Sequence, residues 1–274
     1  MFRFFERWLV FPSPRRWGHD WVASELPHED VHFKADDGTP LHGWYVPHPA
    51  PRASILFSHG NGEHVARLAR TLALLRERAA VSIFAWDYRS YGRSKGKPHE
   101  VNVLADARTA QLWLAEREGI RPEDVVLYGR SLGGAVSVGL AAQHAVRGMV
   151  LERTFAELIE TAAYHFPWLP VRKIMRNRFP SIERIAGYQG PLLQSHGTAD
   201  EVVPFAMGKQ LFDAATTPNK RFFTVEGGRH NSPQPDEYYE ALSEFLDALP
   251  PLGAPPSSTL DIAEAVAPSD NGQA

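Results

Sequence analysis

The sequence predicts an α/β protein built on a mostly parallel sheet of eight strands, with helices on both faces. Three observations lead to this prediction. Short apolar runs of strand length alternate with longer amphipathic runs of helix length between residues 54 and 249. Polar turns, several of them rich in glycine, follow the apolar runs. The chain has 274 residues and is 43% hydrophobic, which is enough for one large core.

The first two strands are predicted to form a hairpin, because residues 31–35 and 41–46 flank the turn sequence Asp36-Asp37-Gly38-Thr39. The other six strands are buried apolar runs, predicted at residues 54–57, 81–86, 125–128, 148–151, 191–194 and 221–225. Helices separate them, predicted at residues 65–80, 100–118, 132–144, 204–215 and 237–249. In such a sheet the binding and catalytic residues lie in the loops beyond the carboxyl ends of the strands.

The two ends of the chain differ in composition from this central domain, which spans residues 31–249. Residues 1–30 form an aromatic segment, predicted either to pack on the domain or to make a peripheral membrane contact through residues 1–13. Residues 250–274 are rich in proline, contain three acidic residues and no basic one, and are predicted to be a disordered tail. No run of about 18 apolar residues predicts a membrane span, and no signal peptide is recognised. We therefore expect a cytoplasmic protein, with peripheral membrane association as the alternative.

Ser131 is the predicted nucleophile. It lies in a Gly-x-Ser-x-Gly sequence at residues 129–133, after an apolar strand and before a helix rich in small residues. This order is typical of a nucleophile elbow, a sharp turn that exposes the serine hydroxyl at the end of a strand. A second match at residues 92–96 lacks the following helix, so Ser94 is predicted to be a loop residue.

An oxyanion hole is predicted beside Ser131. The sequence Ser58-His59-Gly60-Asn61-Gly62 follows a strand and can present a backbone N–H group toward the nucleophile. Two donors are needed to stabilise a tetrahedral oxyanion, and the amides of Asn61 and Leu132 are the candidates.

The predicted acid and base of the triad are Asp200 and His230. Each follows a predicted strand, and the chain order Ser131, Asp200, His230 is the order described for one class of serine hydrolases. Glu152, at the end of the sixth strand, is the alternative acid. His59 and His196 are expected to hold their loops together.

No cofactor and no metal site are predicted. The 12 histidines include no pair spaced as zinc ligands on a credible helix beside a carboxylate, and no Gly-x-Gly-x-x-Gly sequence follows the first strand. The net charge of −3 gives no indication of a nucleic-acid partner. The absence of cysteine excludes a thiol nucleophile.

These motifs resemble the α/β-hydrolase superfamily, and most of all the Bem46-like serine hydrolases, over about residues 6–249. Further matches to the family are Trp86-Asp87-Tyr88-Arg89-Ser90-Tyr91-Gly92, His196-Gly197-Thr198-Ala199-Asp200 and Gly228-Arg229-His230-Asn231. The resemblance implies the α/β-hydrolase fold, a triad of Ser131, Asp200 and His230, and oxyanion donors at Asn61 and Leu132. Relatives often carry a membrane helix before a segment similar to residues 6–13, and this sequence lacks one.

The predicted function is hydrolysis of a carboxylic ester or thioester through an acyl-enzyme, with a small molecule or lipid as substrate. The preference for an ester depends on the resemblance and on the apolar residues 164–171, which could line an acyl pocket. The span before Pro191 has room for a few short helices, so a small cap or none is expected. The alternatives are a serine peptidase of the aminopeptidase type and a non-catalytic scaffold that binds lipid.

Overall fold

The computed structural model describes residues 10–12 and 26–255. Its strands are β1 Glu29–Lys34, β2 Pro40–Val46, β3 Ala53–Ser58, β4 Val81–Asp87, β5 Val126–Arg130, β6 Gly148–Glu152, β7 Leu192–Gly197 and β8 Lys220–Val225. Its α-helices are α1 Ala69–Ala79, α2 Glu100–Glu118, α3 Leu132–Ala141, α4 Leu158–His165, α5 Val171–Ile174, α6 Ser181–Ile185, α7 Phe205–Ala214 and α8 Asp236–Asp247.

All eight strands form one sheet, in the order β1-β2-β4-β3-β5-β6-β7-β8. Only β2 runs antiparallel to its neighbours β1 and β4, and the pairs from β4 through β8 are parallel. The prediction of a mostly parallel, eight-stranded sheet is therefore confirmed. Because β5 is central and its neighbours are parallel, several strand ends meet at one edge, where the loops can bring distant residues together.

Each face of the sheet carries its own apolar core. Alternate residues of a strand point to opposite faces, so Leu56 joins one cluster while Ile55 and Phe57 join the other. The first cluster is covered by α2, α3 and α7, and the second by α1 and α8. Because the central strands are buried on both faces, their sequences are continuous apolar runs rather than alternating apolar and polar residues.

The predicted helix at residues 65–80 begins with a tighter turn than expected. Residues Val65–Leu68 form a 3₁₀ helix, and α1 follows directly. The amide of Val65 donates to the carboxylate of Asp87, 2.9 Å away, which ties the first turn to the end of β4. Tight turns of this type are common at helix starts. The predicted helix at residues 132–144 ends earlier, at Ala141.

A small cap of three short helices, α4 to α6, fills the connection between β6 and β7, as the length of this span predicts. The cap packs on the first core cluster through Val171, Met175 and Phe179. No helix among residues 10–12 and 26–255 has the length and apolar character that crossing a bilayer requires.

The chain ends contact the domain where the structure describes them. Val10 and Phe11 are buried, and the Phe11 ring packs edge-on against Phe179. Most of the predicted N-terminal segment, residues 1–9 and 13–25, lies outside the described residues, as does most of the predicted tail, residues 256–274. The first residues assigned to that tail pack on the domain instead, since Gly253 and Ala254 bond to Asp124 and Arg121.

Candidate active site

Ser131 lies between the last residue of β5 and the first residue of α3, in a strained backbone conformation. Its φ is 51° and its ψ is −117°, a combination that residues with a side chain rarely adopt. The turn depends on two glycines. A Cβ atom on Gly129 would lie 2.3 Å from the carbonyl oxygen of Gly133, and one on Gly133 would lie 1.9 Å from the carbonyl oxygen of Ser58. The second contact is with β3, so the turn is packed against the neighbouring strand as well as against itself.

The structure brings Ser131, His230 and Asp200 together from three separate loops. His230 Nε2 lies 3.1 Å from Ser131 Oγ, and His230 Nδ1 lies 2.8 Å from Asp200 Oδ2. Asp200 follows β7 and His230 follows β8, so all three residues lie past the carboxyl ends of parallel strands. The arrangement has the connectivity of a nucleophile, a base and an orienting acid.

The surroundings of Asp200 favour its charged form. Its Oδ1 accepts the amide N–H groups of Val202 and Val203, at 2.9 and 2.8 Å. Burial raises the pKa of Asp200, but the hydrogen bond and charge of His230, together with the Val203 amide and the charge of His196, outweigh it, so the pKa lies below its ordinary value. A carboxylate held in this way can orient the imidazole and stabilise its cation.

The loop that carries Asn61 lies against Ser131. A Cβ atom on Gly60 would come within 3.6 Å of the Ser131 Cβ atom. Two tyrosines fix the loop, because Tyr88 donates to the carbonyl of His59 and Tyr91 donates to the Asn61 side chain, each at 2.6 Å. Leu132 is the first residue of α3, where amide groups have no partner within the helix and can stabilise an anion.

Glu152, the alternative acid, has other partners. Tyr128 donates to one carboxylate oxygen at 2.8 Å, and Arg153 donates to the other at 3.0 Å. No contact between Glu152 and His230 is present among the described residues. Arg153 also donates to the carbonyl oxygen of His230 at 3.1 Å. The Glu152–Arg153 ion pair therefore helps to hold the loop that carries His230.

An unpredicted ion pair, Arg130–Glu63, joins the loops around Ser131, and we call it the clasp. Arg130 Nη1 donates to Glu63 at 2.8 Å, and the other Glu63 oxygen accepts the Gly60 amide at 2.8 Å. Arg130 Nη2 donates to the side chain of Asn231 at 3.0 Å. Burial lowers the pKa of Arg130, but the carboxylates of Glu152 and Glu63 raise it above its ordinary value. The contacts of the clasp thus link the Gly60 loop, the Ser131 turn and the His230 loop.

The clasp leads to a prediction for the Glu63→Gln variant. An amide keeps the shape of the side chain but loses the charge that holds Arg130, which weakens the link between the Gly60 loop and the His230 loop. We expect kcat to fall roughly 10- to 100-fold, as for a small misplacement of catalytic groups, with KM nearly unchanged. Steady-state kinetics on a soluble ester provide the measurement.

Asp124→Asn is the matched control, because the Asp124 carboxylate also accepts both an arginine side chain and a backbone amide, from Arg121 and Gly253. It lies just before β5, at the opposite end of the strand from Ser131. If Glu63→Gln kept the kcat of the unmodified protein, or if both variants lost kcat equally, the clasp would have no specific role in the site.

Ser131 and His230 line a polar cavity of about 410 Å³, together with Asn61, Glu63 and Arg130, among others. His230 also lines a smaller cavity of about 300 Å³, with Glu201 and Val202 among others. A groove of about 670 Å³ lies in the cap and is lined mainly by apolar side chains of residues 163–171 and by Met207. Helix α4 contacts both regions, because Tyr164 lines the groove and His165 donates to the carbonyl of Val202, which lines both cavities at His230.

The other residues singled out by the sequence have structural partners. Ser94 is buried, donates to the carbonyl of Asp87 and accepts the amide of His42. His59 and His196 are fully buried and contact the carbonyl oxygens of Gly60 and Val203 in their loops. Within the described ranges, no group of three or more histidine and acidic side chains is arranged to hold a metal ion.

Comparison with known sequences identifies relatives over most of the chain. A protein-family profile described as "Serine aminopeptidase, S33" matches residues 49–183. An uncharacterised protein of Mycobacterium tuberculosis is 39% identical over 239 residues, which is 85% of this chain and 84% of the relative. The human alpha/beta hydrolase domain-containing protein 17B is 36% identical over 199 residues, which is 72% of this chain and 67% of the relative.

Solved structures with the same fold include two esterases. An esterase of Pyrococcus furiosus superposes with a TM-score of 0.68 and 18% identity, covering 86% of this chain and 96% of that one. An acetyl xylan esterase of Paenibacillus sp. R4 superposes with a TM-score of 0.65 and 16% identity, again covering 86% and 96%. At such identities the likeness shows the fold alone.

Proposed function

The chain belongs to the α/β-hydrolase superfamily, and we propose that it is a serine esterase that cleaves carboxylic esters or thioesters with an apolar acyl group. The observation that carries this proposal is the continuous pair of contacts from Ser131 to His230 and from His230 to Asp200, at 3.1 and 2.8 Å. The strained elbow adds support, because backbone strain persists only where the surrounding structure holds it and is common at active sites.

The proposed reaction begins when His230 Nε2 takes the hydroxyl proton of Ser131 as its oxygen attacks the acyl carbonyl carbon. The resulting tetrahedral oxyanion accepts hydrogen bonds from the amides of Asn61 and Leu132. His230 then gives the proton to the leaving alcohol or thiol, and the acyl group stays on Ser131. A water molecule, deprotonated by His230, hydrolyses this acyl-enzyme and restores the serine.

The cap groove is the proposed acyl site. Its lining includes Ala163, Leu169, Val171 and Met207, and the hydrogen bond from His165 to the carbonyl of Val202 links α4 to the lining of the cavity that contains Ser131. A site lined in this way gains affinity from each buried methylene of a substrate, about 0.8 kcal/mol at most. We infer a preference for medium or long acyl chains over acetyl.

A serine peptidase of the aminopeptidase type is the second candidate, favoured by the description of the matching family profile. Such an enzyme needs a carboxylate to hold the amino group of its substrate. Glu63 is the acidic residue lining the cavity with Ser131, and Arg130 and the Gly60 amide already engage both of its oxygens. Glu201, which is exposed and lines the smaller cavity with His230, is a second carboxylate near the site. The engagement of Glu63 supports the ester proposal, whereas the position of Glu201 supports the peptidase. A non-catalytic scaffold is the least supported candidate, because it needs no serine, histidine and carboxylate in contact.

A panel of p-nitrophenyl esters tests the proposal, with acetyl, butyryl, octanoyl and palmitoyl chains compared with aminoacyl p-nitroanilides. We expect kcat/KM to rise from acetyl to octanoyl, by at most roughly fourfold per methylene. Faster cleavage of the anilides would favour the peptidase instead. A maximum at acetyl would overturn the role given to the groove.

A further inference from the structure

The outer surface of the cap combines exposed aromatic rings with a cluster of cations. Trp168 and Tyr164 are 74% and 58% exposed, which is unusual for side chains of this size. Residues 164–178 contain four lysines and arginines and no acidic residue, within a chain whose net charge is −3. We define the cap patch as the exposed residues Tyr164, Trp168, Arg172, Lys173, Arg176 and Arg178.

Neighbouring acids neutralise only part of this charge. Glu160 pairs with Arg172 at 2.6 Å. Glu100, at the start of α2, pairs with Arg184 and accepts the backbone amides of Arg178 and Phe179. No acidic side chain is paired with Lys173 or Arg178 among the described residues, so the patch retains positive charge beside its two exposed aromatic rings.

This chemistry fits the surface of an anionic bilayer. Tryptophan and tyrosine settle at the level of lipid headgroups, and each nearby lysine or arginine gains affinity from negatively charged lipids. The apolar groove opens on the same surface, since Tyr164, Trp168, Arg172 and Lys173 all line it. A groove with cations and aromatic rings at its edge suits an acyl chain leaving a charged membrane.

Val10 and Phe11, near the start of the chain, also contact the cap. Phe11 packs against Phe179 at the base of the cap, with ring centroids 6.4 Å apart. Val10 and Phe11 belong to the same apolar cluster as Val171 and Met175. The described residues near the start of the chain, Val10 and Phe11, therefore pack beside the cap.

We propose that the cap patch docks on an anionic lipid bilayer and turns the active site toward lipid esters. The proposal extends the proposed function by naming the surface at which the substrate is met. Docking itself needs no hydrolysis, so the two can be tested apart.

Co-sedimentation of the full chain with vesicles made of equal parts phosphatidylcholine and phosphatidylglycerol tests the docking. We expect the protein to bind these vesicles but not pure phosphatidylcholine, and to be released at about 1 M salt, where charges are screened within about 3 Å. Trp168→Ser and Lys173→Glu should each weaken binding roughly tenfold. Ser131→Ala should bind like the unmodified protein, whether or not the enzyme is an esterase.

Two control variants match these changes elsewhere on the surface. Leu252→Ser removes an apolar side chain that is 57% exposed, and Lys34→Glu reverses an exposed charge on β1. Both should bind vesicles like the unmodified protein, and the melting temperature of every variant should be nearly unchanged. If the cap variants bound the anionic vesicles as well as the unmodified protein does, the proposal would be overturned. No binding to anionic vesicles, or binding to an acidic polypeptide in their place, would also overturn it.

Discussion

Replacing Ser131 by alanine is expected to abolish ester hydrolysis, with kcat reduced roughly 10⁴- to 10⁶-fold. The members of a triad act as a unit, so loss of the nucleophile removes the contribution of His230 and Asp200 as well. The fold should be unaffected, because the Ser131 hydroxyl has only His230 as a partner among the described residues. Alanine also fits the turn, since the two glycines that the elbow requires are left in place.

Ser94→Ala is the matched control, because Ser94 lies in the second Gly-x-Ser-x-Gly sequence of the chain. Its hydroxyl bonds to Asp87 and His42, so the substitution should lower the stability by about 1–3 kcal/mol without a comparable loss of kcat. Rates measured well below the melting temperature separate the two effects. Normal activity in Ser131→Ala, or its loss in folded Ser94→Ala, would reverse the assignment.

Asp200→Asn is expected to lower kcat by roughly 10⁴-fold while the protein stays folded. The asparagine oxygen can still accept the amides of Val202 and Val203, which now bond to Oδ1. Its NH₂ group then faces His230 Nδ1 and forces the ring into the tautomer with the proton on Nε2. A histidine in that form cannot accept the proton of Ser131.

Glu152→Gln separates the two candidate acids. Removing the Glu152 charge leaves the buried Arg153 without its anionic partner, a change that typically costs about 3–5 kcal/mol of stability. We therefore expect a lower melting temperature and a kcat that stays within about tenfold of the unmodified value at low temperature. The reason is that Glu152 contacts Arg153, which bonds to the backbone of His230, and not the imidazole ring itself. Near-normal kcat in Asp200→Asn together with a lost kcat in Glu152→Gln would identify Glu152, at the end of β6, as the acid of the triad.

Local patterns were sufficient to predict the sheet and the convergence of Ser131, Asp200 and His230. The strands are short apolar runs with polar ends, and parallel strands bring their carboxyl ends to one edge whatever their separation in sequence. The site contacts of Arg130 and Glu63 could not be predicted in the same way. Each is an ordinary charged residue beside a motif, and 67 residues separate them, so only the packed loops reveal that they meet.

The position at which the packed domain ends also depends on residues far away in the sequence. The prolines near residue 250 predict a break in structure, but the segment is held by side chains from elsewhere, among them Arg121 and Arg147. The 3₁₀ turn before α1 likewise depends on a distant residue, Asp87. In each case a long-range hydrogen bond decides a conformation that the adjacent residues leave open.

Trapping the covalent intermediate tests the central claim most directly. The protein is mixed with p-nitrophenyl octanoate, and the reaction is quenched in acid within the first turnover. The protein is then digested, and its peptides are analysed by mass spectrometry. We predict an octanoyl group on the peptide that contains Ser131, and its absence in Ser131→Ala. Hydrolysis of the ester without any acylated peptide, or an acyl group on Ser94 in place of Ser131, would contradict the account.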